Sequence, residues 1–337
     1  MFASPSIGIS LGVTASDRAE DLLRAAGTAL HQAKVGGKAR YAIFDSDMYA
    51  TVLKRLRIEG DLRRALKRGE FRVYYQPKMR LSTDLQHSLR ASGSRAIVAS
   101  KQESTQTPRI VGTEALVRWE HPELGLVCPA EFIPVAEETG LIVQIGRWVL
   151  KESCLQTRQW NEQYTGDPPL TVCLNLSARQ FQDPGLCQDV ARVLQETGLD
   201  AQYLCLEVTE SAVMKDVQVT IATLKELKGL GVELSVDDFG TGYSSLSYLK
   251  RFPVDYLTID RSFVEELKGG DEDTMLVSGI IRLAHTLGMQ VVAEGVESVE
   301  QLKRLQGLGC DLAQGFCFSE AMPAEAVPGI LAHARQR

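Results

Sequence analysis

The sequence predicts an α/β protein: a TIM-like (β/α)8 barrel with an antiparallel first strand, preceded by a small N-terminal α+β piece. Three observations predict it. Apolar strand-like runs alternate with amphipathic helical runs over roughly 260 residues, the length of one barrel. The runs number eight. No Gly-rich phosphate loop follows the first of them, which argues against an open doubly wound sheet.

Taken in order, Ser6 to Val13 reads as a strand. Ala19, Leu22, Leu23, Ala26 and Leu30 repeat at helical spacing between Asp17 and Lys34. Gly36-Gly37 ends that helix, and Ala39 to Phe44 reads as a second strand. A strand, a helix and a strand bury little surface alone, so residues 1–46 are expected to be a piece of a larger domain. Residues 47–69 read as an amphipathic connecting helix interrupted near Gly60.

The barrel is expected over 70–337. Its strands are Phe71 to Met79, Ile110 to Trp119, Leu170 to Leu176, Tyr203 to Val208, Val232 to Val236, Tyr256 to Ile259, Gln290 to Ala293 and Leu312 to Phe316. Helical patterns lie between most of them, the clearest at Gln144 to Asn161, Gln188 to Glu196, Val217 to Leu230, Thr274 to Leu287, Val299 to Gly307 and Ala324 to Ala334. The first two strands have no helix between them and should pair antiparallel. They are joined by a Ser-, Thr- and Gln-rich stretch, about 82–109, read as a flexible insertion. It leaves from the face opposite a barrel's active site, which makes it a poor catalytic lid.

Composition narrows the function. The 337 residues are 44% hydrophobic with a formal net charge of -6, which gives no electrostatic footprint for duplex nucleic acid. The seven cysteines are scattered, without a Cys-x-x-Cys pair, and predict reduced thiols, a cytoplasmic setting and no structural zinc. No run reaches the ~18 apolar residues of a membrane span.

The polar residues gather where strands end. Glu114 and Arg118, Asn175, Glu207 and Glu210, Asp237 and Asp238, Glu294 and Gln314 would converge on one mouth if the barrel closes. Adjacent carboxylates resist joint ionisation unless a cation sits between them. Oxygen donors suit Mg²⁺ or Mn²⁺ rather than zinc. Five or more acids fit two ions, which clamp the attacking and leaving oxygens of a phosphoryl transfer. Asp237 is placed to bridge such a pair, and Arg118 to fork onto a phosphate oxygen.

Glu114-Ala115-Leu116-Val117-Arg118-Trp119 resembles the signature of the EAL-domain family of cyclic di-GMP phosphodiesterases. The likeness continues through YQP at Tyr75 to Pro77, FIPVAEETG at Phe132 to Gly140, NLSARQF at Asn175 to Phe181 and LEVTES at Leu206 to Ser211. DDFGTGYSS at Asp237 to Ser245, AEGVE at Ala293 to Glu297 and AQGF at Ala313 to Phe316 complete it. Separately, SIGISLG, TALHQAK and GGKARYAIFD resemble the C-terminal end of a GGDEF (diguanylate cyclase) domain, without that family's signature loop.

The resemblance implies roles. Glu114, Asn175, Glu207 and Asp237 would hold a first ion; Asp237, Asp238 and Glu294 a second. Gln76, Leu116 and Arg118 match positions that hold the dinucleotide, and Gln314 a polar position beside the metals. Glu210 matches a glutamate that steadies the loop after Asp238, a region of dimerisation in the family. The reaction implied is hydrolysis of cyclic di-GMP to linear pGpG, and a homodimer is expected. Two departures bear on it. Thr258 stands where the family has a lysine that helps the chemistry, a contribution worth ~10²–10⁴-fold. Glu320 and Ala321 stand where a basic residue and a proline are usual. The alternative is therefore a cyclic di-GMP receptor with impaired turnover.

Overall fold

A computed structural model describes residues 4–12, 18–35, 37–81, 108–164, 168–214, 216–240, 246–267 and 271–334. The chain divides into two compact units, Met1–Glu70 with Val127–Thr139, and Phe71–Leu126 with Gly140–Arg337.

In the first unit, strands β1 (Ile7–Ile9) and β2 (Tyr41–Ile43) pair in parallel around the helix Ala19–Val35. Gly8 is required where the strand meets that helix: a Cβ there would lie 2.1 Å from the Ala26 carbonyl oxygen. The helix Ser46–Arg68 buries Ile58, Leu62 and Ala65. It runs unbroken through Gly60, contrary to the expected interruption. One glycine costs only ~1 kcal/mol in a helix interior, which this buried stripe outweighs. Pro129–Thr139 is also helical, a segment that Pro134 disguises in the sequence; buried Phe132, Val135 and Ala136 offset the proline.

The second unit is the barrel. Its strands are β3 (Phe71–Arg80), β4 (Arg109–His121), β5 (Gly125–Val127), β6 (Thr171–Leu176), β7 (Leu204–Thr209), β8 (Glu233–Phe239), β9 (Tyr256–Ile259), β10 (Gln290–Ala293), β11 (Leu312–Ala313) and β12 (Met322–Pro323). The ring β4-β6-β7-β8-β9-β10-β11 is parallel, and β3 closes it antiparallel to both β4 and β11. β5 and β12 stand outside this eight-stranded ring, β12 pairing antiparallel with β3 at Tyr74 and Tyr75. The closure matches the expected barrel. β11 is shorter than the Leu312 to Phe316 run suggested. The chain turns at Gly315, where a Cβ would lie 2.3 Å from the Val296 nitrogen.

Helices coat the outside, and Leu141–Gln163 shows why they stay. It buries Ile145, Val149, Cys154 and Trp160 as one stripe. The Trp160 ring meets Tyr75 edge-on at 4.7 Å. β3 and β4 exchange their last pairing at Arg80 and Arg109, so the chain leaves and re-enters at the N-terminal face of the barrel. Of the predicted insertion at about 82–109, residues 82–107 lie outside the described ones. Among the described residues no helix is long and apolar enough to cross a membrane.

Candidate active site at the barrel mouth

Strand side chains alternate between barrel interior and helix layer. Register therefore decides which acids meet. Gln76 stands opposite Glu114, Glu114 beside Cys173, and Asn175 beside Glu207. The interior faces of β3, β4, β6 and β7 thus bring four of the predicted residues to one place. The side chains then link across strands. Asn175 and Gln314 each donate an amide N–H to a different oxygen of Glu114. Gln314 Nε2 also donates to Gln76 Oε1 at 2.9 Å, and Gln76 Nε2 to the Ser319 carbonyl at 2.9 Å.

β8 solves a different problem. Successive strand residues point to opposite faces, yet Asp237 and Asp238 are adjacent. The register of β8 against β9 shifts between Val236 and Phe239, and Asp238 adopts a left-handed φ of 55°. A local irregularity of this kind re-aims a side chain beside a site, and the conformation is one that Asp tolerates better than most residues. The Asp238 amide donates to Asp237 Oδ1 at 2.8 Å. Next to them, Gly240 has φ 100° and donates its N–H to Glu210 Oε2 at 2.8 Å. Glu210 thus holds the start of the loop after Asp238; the next residues, 241–245, lie outside the described ones.

The electrostatics are those of crowded acids. Burial, then the charge of Glu207, then that of Asp238, push Asp237 up to about 7. Burial first, then Glu114, Asp237 and Glu207, hold Glu294 well above the carboxylate range. Glu114 is raised by burial and by Glu207, and lowered by Lys78, Gln314 and Asn175. Asp238 is raised by burial and by Asp260, whose carboxyl hydrogen-bonds it. Two carboxyls in contact need either a proton or a cation between them.

Two residues here were missed in the sequence. Lys78 is buried on β3, and its ammonium donates to Glu207 Oε1. It lies two residues beyond Gln76, on the same face, and that spacing is the signal that would have found it. Asp260, at the end of β9, touches Asp238 and caps the helix Arg261–Glu266 by accepting from the Ser262 amide at 3.0 Å. Thr258, by contrast, is fully buried, with its hydroxyl 3.1 Å from that of Ser235. Arg118 is half-buried, its guanidinium 5.5 Å from the Tyr74 ring centre; Leu116, two residues earlier on β4, is half-buried and stands opposite Tyr74.

The donor set fits divalent cations. Among the described residues, the carboxylates of Glu114, Glu207, Asp237, Asp238 and Glu294 and the side-chain amides of Gln76, Asn175 and Gln314 offer oxygen. Glu207 is 2% exposed, and its Oε2 is buried with no hydrogen-bond partner, an arrangement that a cation would satisfy.

The chain matches the EAL domain model over residues 96–321. It is 42% identical over 322 residues to the bifunctional diguanylate cyclase/cyclic di-GMP phosphodiesterase MucR of Pseudomonas aeruginosa, covering 96% of this chain and 43% of MucR. It is 38% identical over 326 residues to the cyclic di-GMP phosphodiesterase NbdA of the same organism, covering 97% and 38%. The chain thus spans less than half the length of these curated relatives. Among solved structures, the MucR phosphodiesterase in complex with c-di-GMP superposes with a TM-score of 0.70 at 43% identity, covering 80% of this chain and 99% of that one. The EAL enzyme Bd1971 with cAMP and cyclic di-GMP gives a TM-score of 0.72 at 28% identity, covering 94% and 77%. Register, acid cluster and these likenesses agree: the chain belongs to the EAL-domain family.

Proposed function

We propose that the barrel hydrolyses one phosphodiester bond of cyclic di-GMP to linear pGpG, with two divalent ions, Mg²⁺ or Mn²⁺, at its mouth. The observation that carries this reading is the convergence of Glu114, Glu207, Asp237, Asp238 and Glu294, with Glu207 Oε2 buried and unpartnered. Glu114, Asn175, Glu207 and Asp237 would hold one ion; Asp237, Asp238 and Glu294 the other. When bound, the ions supply positive charge to the phosphoryl oxygens and lower the pKa of water. The protein's own groups do the rest. Gln314 and Asn175 fix the Glu114 carboxylate, and Gln76 accepts from Gln314. Lys78 donates to Glu207 and holds it in place. Arg118 and Leu116 would seat the dinucleotide, and Glu210 anchors the loop after Asp238. The named activities of MucR and NbdA, and the c-di-GMP complex of MucR, support the substrate.

Incubating purified protein with cyclic di-GMP and Mg²⁺ or Mn²⁺, and following product by chromatography, tests this. Metal-dependent pGpG is expected. Ligand binding without pGpG overturns it in favour of the second reading, a receptor, which Thr258 favours because it carries no charge where the resemblance implies a lysine. Two further expectations belong here. Residues 1–46 are read as the end of a GGDEF-like domain, supported by alignment to MucR over 96% of the chain. Homodimerisation is read through the region after β8, and light scattering at several protein concentrations tests it.

A further inference from the structure

The acids at the mouth have a counterpart one pleat deeper in the barrel, and it is built from sulfur. Cys173 on β6 and Cys205 on β7 are register partners, two residues before the partners Asn175 and Glu207 on the same strands. Both thiols are buried and reduced. Their Sγ atoms and a Glu207 carboxylate oxygen lie within 4.8 Å of one another. All three residues line a cavity of about 220 Å³, together with Lys78, Glu233 and Tyr256. Thr171, Glu233 and Tyr256 begin their strands, so this cavity sits at the N-terminal end of the barrel, away from the mouth. It has room for ordered water, which needs only ~10–15 Å³ per molecule.

We propose that Cys173, Cys205 and Glu207 form a site for one thiophilic divalent ion of the zinc class, with water from the cavity as fourth ligand. Two thiolates and a carboxylate select Zn²⁺ over Mg²⁺, the reverse of the oxygen donors above. Tetrahedral donors around zinc stand about 3.6 Å apart, so donors already within 4.8 Å of one another need to close by no more than about 1 Å. Because Glu207 also faces the mouth, filling the lower site competes with its use above; only that consequence rests on the proposed function.

Titrating the reduced protein with Co²⁺ in excess Mg²⁺ tests the site, because thiolate-to-cobalt charge-transfer absorbance is blind to oxygen ligands. One Co²⁺ per chain with that band, displaced by Zn²⁺, is expected. Cys173→Val and Cys205→Val should each abolish the band, while Cys128→Ala and Cys317→Ala keep it. Absence of the band in the native chain, or its persistence in both valine variants, overturns the proposal. Where a valine variant fails to fold, X-ray absorption of the zinc-loaded native protein decides. Sulfur at about 2.3 Å supports the site, and a shell of oxygen and nitrogen alone refutes it.

Discussion

The two ends of the barrel interior differ in chemistry although the same strands build both. At the mouth, β4, β7 and β8 carry Glu114, Glu207 and Asp237, and Glu294 directly follows β10. At the opposite end the lining is Cys173, Cys205, Tyr256 and Glu233, with Tyr256 donating to Glu233 at 3.1 Å. The lower cysteines are buried free thiols, and the two groups beside them share a hydrogen bond. The upper ones are acids pressed together, satisfied only by protons or cations. Lys78 stands between the layers, tied to Glu207. The difference teaches that a buried carboxylate cluster stores its own instability, and that this instability is what selects a metal.

The sharpest way to break the comparison is Asp237→Asn, which removes the shared acid of the proposed ion pair. Metal-dependent pGpG formation should fall to background while the circular dichroism spectrum is unchanged; retained turnover defeats the assignment. Lys78→Met comes next. Removing one partner of a buried ion pair costs about 3–5 kcal/mol. Calorimetry should show a matching loss in metal-free protein, and Mn²⁺ should recover more stability in the variant than in the native chain. Equal recovery in both would mean that Lys78 and the ions do not share Glu207. Thr258→Lys should raise kcat at least ~10-fold with little change in KM, since one well-placed acid–base or charged group is worth ~10²–10⁴-fold. A flat kcat in steady-state assays shows that no group is missing there.

A pH experiment gives a smaller effect with a definite sign. Asp237 titrates near 7 in the fold, against about 4 in an unfolded chain. Between those values the folded state holds the extra proton, so metal-free stability falls as pH rises. Glu114, Asp238 and Glu294 shift in the same direction. The metal-free melting temperature should drop from pH 5 to pH 8, and Mn²⁺ should stabilise more at pH 8. The smallest effect is the control. Arg72 and Glu120 pair at 3.1 Å with both side chains about half exposed, and double-mutant cycles should find under ~1 kcal/mol between them.

Much of this was legible in the residues. The alternation of apolar runs gave the closed barrel, because each half-buried element needs the next one to cover it. The ordered motifs placed Glu114, Glu207, Asp237 and Glu294 at strand ends, because strand direction and barrel closure leave those ends one mouth. Local pattern misled at Gly60, where packing outweighed propensity. Lys78 was hidden by its type. A lysine reads as a surface residue until its strand is known to face inward, where only a carboxylate partner makes burial tolerable.

By itself the sequence determined the barrel, its antiparallel first strand and the acids of its mouth, since these follow from periodicity and from residues near in the chain. Tertiary structure alone decided what depends on inter-strand register and on local backbone turns. It set Cys173 beside Cys205, tied Lys78 to Glu207, and turned Asp238 toward Asp260. Each joins residues far apart in sequence or reverses the strand's alternation, and a one-residue slip in register would have sent every one of these side chains to the other face.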